Sequence, residues 1–233
     1  MKPIIIYGNS TLAKQMYLDA VQYTSGTKIA AFCAGDEYVQ SEQLFCDTPL
    51  IKESEVLQEY PPDKYDMLSC VDAPSRLRNR IVVYEKLKNM GYNLANYVSP
   101  AANISPHAKL GENNIYFAHC HVYFGACFGH SNTVRPTAVV GHEVAIGNGT
   151  NISEGAVMGG NAQIGDSCWI GMNATINNRV TVASDTLVAS GAVIMSNTKQ
   201  GFSYIGNPAK AFFSHEKTGI MLDFGRWGKR NEV

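Results

Sequence analysis

The chain has no excess of charge in either direction and no long apolar run. Lys and Arg total 19 against 20 Asp and Glu, a net charge of −1 over 233 residues. That balance gives no reason to expect a nucleic acid or an anionic membrane as partner. No stretch approaches the roughly 18 consecutive apolar residues that cross a bilayer. The opening Met1-Lys2-Pro3-Ile4-Ile5-Ile6 is too short for the apolar core of a secretory leader. The six cysteines (33, 46, 70, 120, 127 and 168) lack CxxC spacing. They read as reduced core residues rather than a disulfide framework. The expectation is a cytoplasmic protein with neither membrane insertion nor nucleic-acid binding.

What is present is a period of six. From Val98 to Ile194 every sixth residue is apolar: Val98, Ile104, Leu110, Tyr116, Val122, Phe128, Val134, Val140, Ile146, Ile152, Met158, Ile164, Ile170, Ile176, Val182, Val188 and Ile194. Four residues after each comes a smaller side chain, such as Ala126, Ala138, Ala156, Ala162 and Ala174, with Asn114 and Asn132 as the departures. Six matches neither the 3.6 of a helix face nor the 2 of a strand. It is the repeat of a parallel β-helix, in which each hexad supplies one short strand and one corner of a triangular coil. Three hexads close a coil of 18, so residues 18 apart stack. With coils about 4.8 Å apart, the prism is roughly 25–30 Å tall.

Residues 1–96 lack the hexad. Ile4 to Tyr7, Lys28 to Phe32 and Asp66 to Cys70 read as strands, with helices from Leu12 to about Tyr23, Glu53 to Glu59 and Pro74 to Asn89. Pro near the start and Gly91 just after the end frame the last of these. Alternating strands and helices imply a small parallel α/β sheet. Arg76, Arg78, Arg80 and Lys86 read as the solvated face of the last helix, one of them within reach of a phosphate. The division expected is an α/β domain at 1–96, a β-helix at 97–199 and a loop and tail at 200–233, the tail as helix or extended arm.

The stacking rule locates a candidate centre. His142 lies at a coil corner with Glu143 beside it, and 18 residues on is Gly160. A histidine beneath a residue without a side chain has open space and a backbone N–H above it. A general base with an N–H donor about one strand spacing away suits acyl transfer: the base takes the proton of the attacking amine or hydroxyl, and the N–H stabilises the oxyanion. Glu143 would hold the imidazole in one tautomer.

Val140-Gly141-His142-Glu143-Val144-Ala145-Ile146-Gly147, Gly159-Gly160-Asn161-Ala162-Gln163-Ile164-Gly165 and Ile205-Gly206-Asn207-Pro208-Ala209-Lys210 together resemble the hexapeptide-repeat sugar acyltransferases. The closest group is the sialic-acid O-acetyltransferase-like family, which includes N-acetyltransferases of nucleotide-linked 4-amino sugars. The resemblance implies a Rossmann-like α/β domain followed by a left-handed β-helix, a homotrimer with active sites between subunits, and acetyl-CoA in the inter-subunit groove. It makes His142 the base, Glu143 its partner and Gly160 the N–H facing the thioester. Met172 and Ser190, which share one column, would line the coenzyme groove. Gly8, Asn9 and Ser10, in the first turn, would meet the nucleotide-sugar phosphates. The family's second histidine, nine residues after the base, is Asn151 here, an amide able to donate to the coenzyme. Its acidic pair at the end of the second strand is displaced to Asp36, behind Ala34 and Gly35.

The activity this implies is acetyl-CoA-dependent N-acetylation of a nucleotide-linked amino sugar, a 4-amino-4,6-dideoxy sugar destined for surface glycans. O-acetylation of a sugar hydroxyl, as in a sialic acid, uses the same groups. A non-catalytic trimeric scaffold that binds nucleotide sugars is the third reading. His119, His121 and His130 raise the question of a metal. The β-helix carbonic anhydrases need a further histidine five residues after a ligand, and after His142 that position is Gly147, so no metal is expected.

Overall fold

The structure is a computed structural model describing residues 2–39, 44–72 and 77–220. Its N-terminal part comprises β1 (Ile4–Tyr7), α1 (Thr11–Gln22), β2 (Ile29–Ala34), β3 (Leu44–Phe45), β4 (Thr48–Lys52), α2 (Glu53–Glu59), β5 (Asp66–Ser69) and α3 (Asn79–Asn89). The sheet order is β3-β4-β2-β1-β5, and only the β3–β4 pair is antiparallel. Buried Ile5, Ile6, Phe32 and Leu68 carry both faces of the sheet. α1 starts where the Ser10 side chain caps the Ala13 N–H, and it buries Leu12, Ala13, Met16 and Ala20 along one stripe. Each large apolar group buried there contributes roughly 1.5–3 kcal/mol.

Three differences from the sequence reading have physical causes. The β3–β4 hairpin was not expected, because its turn residues Cys46 and Asp47 adopt left-handed φ of 52° and 56° without the usual Asn-Gly signal, and Pro49 breaks the strand pattern. α3 begins at Asn79 rather than Pro74; Leu77 and Arg78 form a turn tied down by other contacts, and Pro74 to Arg76 lie outside the described residues. Of its basic residues, Arg80 leaves the solvated face and is 3 % exposed, whereas Arg78 and Lys86 remain exposed while pairing with Asp185 and Glu53, and Arg76 lies outside the described residues.

From Tyr97 onward two-residue strands stack into three rows with a register of 18, as in Thr133↔Asn151↔Trp169, Val139↔Val157↔Thr175 and Ala145↔Gln163↔Thr181. These rows make a parallel β-helix whose core is the large and small series read from the sequence. Every corner from 113 to 191 carries a residue with positive φ at intervals of six, four of them glycine and the others including Thr137, Glu143 and Asp185. The left-handed corner is therefore imposed by the fold and not by glycine content.

Asn114 and Asn132 depart from the small apolar pattern for a reason. Asn96 Oδ1 accepts the Asn114 N–H, Asn114 Oδ1 the Asn132 N–H, and Asn132 Oδ1 the Thr150 N–H, each at 2.8 Å. The same amides donate to the carbonyls of Gly111, Gly129 and Gly147 at 2.7–2.9 Å. A ladder of buried side chains thus stitches each coil to the next.

The α/β unit sits on the row containing Tyr97, Ile115 and Thr133. Tyr97, Ile115 and Phe117 share one apolar cluster with Ile4, Leu12 and Phe32, and the Tyr97 hydroxyl donates to Asp19 at 2.6 Å. Beyond the expected coil end, Phe202–Ile205 pairs with Leu187 and Val188 at a shortened offset, and Lys210–Ser214 returns antiparallel to it. The coil therefore extends past residue 199, because buried Tyr204 continues the inward series. Most of the remaining tail, 221–233, lies outside the described residues.

Candidate active site

His142 stands at the corner between the 121/139/157/175 row and the 127/145/163/181 row. Its Nδ1 is 3.1 Å from Glu143 Oε2, and the two side chains are 47 % and 56 % exposed. A carboxylate at that distance accepts Nδ1–H, which leaves the lone pair on Nε2, and this contact is what assigns the tautomer. Asn161 Nδ2, one coil up, reaches the same Oε2 at 3.4 Å, while the Asn161 N–H donates to the His142 carbonyl at 2.9 Å.

The column rule is met, with one correction. A Cβ on Gly160 would fall onto His142 Nε2 and lie 2.6 and 2.8 Å from Cε1 and Cδ2. The ring itself therefore fills the space expected to be vacant, and Gly160 is buried above it. Among the described residues the Gly160 N–H donates to no protein group. On the other side the Phe124 ring stacks on the imidazole at 5.6 Å and 14°. Phe124 and Asn161 were not singled out from sequence for this corner, yet 142 − 18 and 143 + 18 point directly to them.

The other expected residues lie elsewhere on this chain. Met172 and Ser190 are exposed and stacked, the Gly191 N–H donating to the Met172 carbonyl at 2.8 Å, but on the next edge of the prism. Asn151 is fully buried, in the row that carries the α/β unit, with its amide donating to Ser153. It has no solvent path to a coenzyme in this chain, which corrects that expectation.

The first turn is assembled as an ordered cradle. The Gly8 N–H donates to Cys33 O at 2.7 Å, and its φ of 122° with Cys70 O 3.0 Å from a notional Cβ leaves no room for a side chain. The Ser10 hydroxyl donates to Cys70 O, and Asn9 Nδ2 donates to Tyr38 O at 3.1 Å. Asp36 Oδ1 accepts the Ser54 N–H at 3.1 Å, and hydrogen bonding from Ser54 holds its carboxyl below the usual range. Gly8 to Ser10 and Asp36 thus meet at the carboxyl ends of β1 and β2. They sit on the face opposite the His142 corner.

A family model described as bacterial transferase hexapeptide (six repeats) matches residues 161–196. No curated protein matches the chain by sequence. Among solved structures, the acetyltransferase domain of PglB from Neisseria gonorrhoeae FA1090 is 26 % identical, with a TM-score of 0.80 over 91 % of this chain and 100 % of that one. The same domain solved with acetyl coenzyme A aligns equally well, at 26 % identity and a TM-score of 0.80 over 91 % of this chain and 99 % of that one. PerB from Caulobacter crescentus, solved with CoA and GDP-perosamine, shares the fold at 22 % identity and a TM-score of 0.81 over 91 % of this chain and 98 % of that one. The hexapeptide model matched over residues 161–196 and the fold shared over nine-tenths of the chain with the PglB acetyltransferase domain make this protein similar to the hexapeptide-repeat acyltransferases.

Proposed function

We propose that the protein transfers the acetyl group of acetyl-CoA to the free amine of a nucleotide-linked amino sugar, with His142 as general base. The carrying observation is the imidazole locked through Nδ1 to Glu143, with Nε2 left as the proton acceptor next to Gly160. Nε2 takes a proton as the amine nitrogen attacks the thioester carbon. The Gly160 N–H receives the developing oxyanion, the C–S bond breaks, and the thiolate leaves with a proton from the imidazolium. No nucleophilic side chain on the protein is required. Support for the co-substrate comes from the PglB domain, whose structure with acetyl coenzyme A has the same fold.

Gly8, Asn9, Ser10 and Asp36 are assigned to the nucleotide, and Met172 and Ser190 to the coenzyme groove. Because these groups and His142 occupy different faces and edges of one chain, the reading places each site between subunits of a homotrimer. The proposed acceptor is a 4-amino-4,6-dideoxy sugar for surface glycans, handled in the cytoplasm.

The test is His142→Ala, assayed by thiol release against amino and hydroxyl forms of a sugar-nucleotide panel. We expect kcat to fall by about 10²–10⁴ with acetyl-CoA affinity nearly unchanged. Near-normal turnover removes the base assignment, activity confined to hydroxyl acceptors converts the reading to O-acetylation, and failure to bind acetyl-CoA reduces it to a scaffold.

A further inference from the structure

Arg80 lies in the first turn of α3, where the α/β unit meets the coil. It is 3 % exposed, and its Nε donates to Val71 O at 3.2 Å. Its two terminal nitrogens are buried and make no hydrogen bond among the described residues. A buried cation with unspent donors costs several kcal/mol unless something compensates it.

Arg80 lines a small cavity together with Ser69, Ser131 and Thr133, with Leu12, Val71 and Ile115 completing the wall. Asn113, also at the wall, is spent: it accepts the Ser69 N–H at 2.7 Å and donates to Ser131 Oγ at 3.0 Å. Ser131 Oγ, already an acceptor, has its own hydrogen to donate, and the other two hydroxyls can rotate to do the same. No carboxylate lines the cavity among the described residues. The neighbouring charges acting on Arg80 are Asp72, of one sign, and Arg135, of the other. The space holds about one water-sized sphere, too little for phosphate or a carboxylate. The hydroxyl oxygens can accept from a water as well as donate, but only an anion offsets the buried positive charge of the guanidinium.

We propose that this cavity is a halide site, in which chloride sits against the Arg80 guanidinium and the hydroxyls of Ser69, Ser131 and Thr133 and joins the α/β unit to the coil. The proposal is independent of the transferase reading. It is tested on the full chain with bromide as probe. Crystals transferred to sodium bromide should show an anomalous peak in the cavity, within hydrogen-bond reach of Arg80. In solution at constant ionic strength, Tm should rise with the logarithm of chloride or bromide concentration relative to gluconate. Arg80→Met should abolish that dependence. Ser131→Ala, which keeps the guanidinium and is the milder change, should weaken it. A cavity without anomalous signal overturns the proposal. So does equal Tm in chloride and gluconate, including the case where bromide enters only at crystal-soaking concentration.

Discussion

At the scale of single residues, the His142 corner depends on what Gly160 lacks. The imidazole occupies the volume of the missing side chain, held from below by the Phe124 ring and from the side by Glu143. Gly160→Ala should therefore displace the ring, lowering kcat by about 10²–10³ at a stability cost of about 1–3 kcal/mol. Steady-state kinetics with a melting curve checks this, and a variant that melts normally and turns over normally would show that the ring need not sit there. Cysteine chemistry offers an independent check on burial. Cys127 is exposed, while burial pushes the Cys33, Cys120 and Cys168 thiols up to about 12 and Cys70 further still. A thiol reagent applied to the native protein should react first at Cys127, mapped by mass spectrometry, with half-buried Cys46 next. Fast reaction at Cys33, Cys70, Cys120 or Cys168 would contradict their burial.

At the scale of elements, the strands are only two residues long, so no strand is stable alone. The rows cohere because inward Val, Ile and Leu stack on themselves and because the asparagine ladder links successive coils. In that ladder Asn132 both accepts from the Thr150 N–H and donates to Gly147 O. Asn132→Ala leaves the two backbone groups unpaired in the interior and should cost about 2–4 kcal/mol, read as a lower denaturation midpoint at an unchanged m-value. A neutral substitution would mean that water replaces the amide. The hexad makes the coil legible because its period has no other physical interpretation. The β3–β4 hairpin is illegible for the opposite reason: Cys46 and Asp47 take the positive φ values of a tight turn without the Asn-Gly or Asp-Gly pair that marks one in sequence.

At the scale of the whole molecule, the α/β unit is fastened to the coil by contacts far apart in sequence. Arg78 makes two bonds to Asp185, Nε at 2.7 Å and a terminal nitrogen at 2.8 Å, and the Leu77 N–H donates to Ile220 O. Asp185 is nearly buried and Arg78 is 43 % exposed, so solvent screening discounts the pair. Arg78→Met should lower stability by about 1 kcal/mol and increase hydrogen exchange along α3 before the coil is affected. Uniform loss of protection across the coil would show that the two parts unfold as one. The opposed placement of the first-turn cradle and the His142 corner is also a property of this scale.

The architecture of the coil, its register of 18 and the His142–Gly160 column were determined by the sequence by itself, because a stacking period converts positions into neighbours without any knowledge of the rest. Three of the parallel strands, β1, β2 and β5, and the helices of the N-terminal part were readable from apolar runs and turn residues, whereas β4 was not. Only the tertiary structure decided that Arg80 is buried, that Asn151 is buried, and that the His142 ring fills the space beneath Gly160. Those outcomes depend on which face of the prism receives another part of the chain. That choice is set by contacts between residues tens of positions apart, as between Tyr97 and Asp19 or Arg78 and Asp185, and no local pattern encodes it.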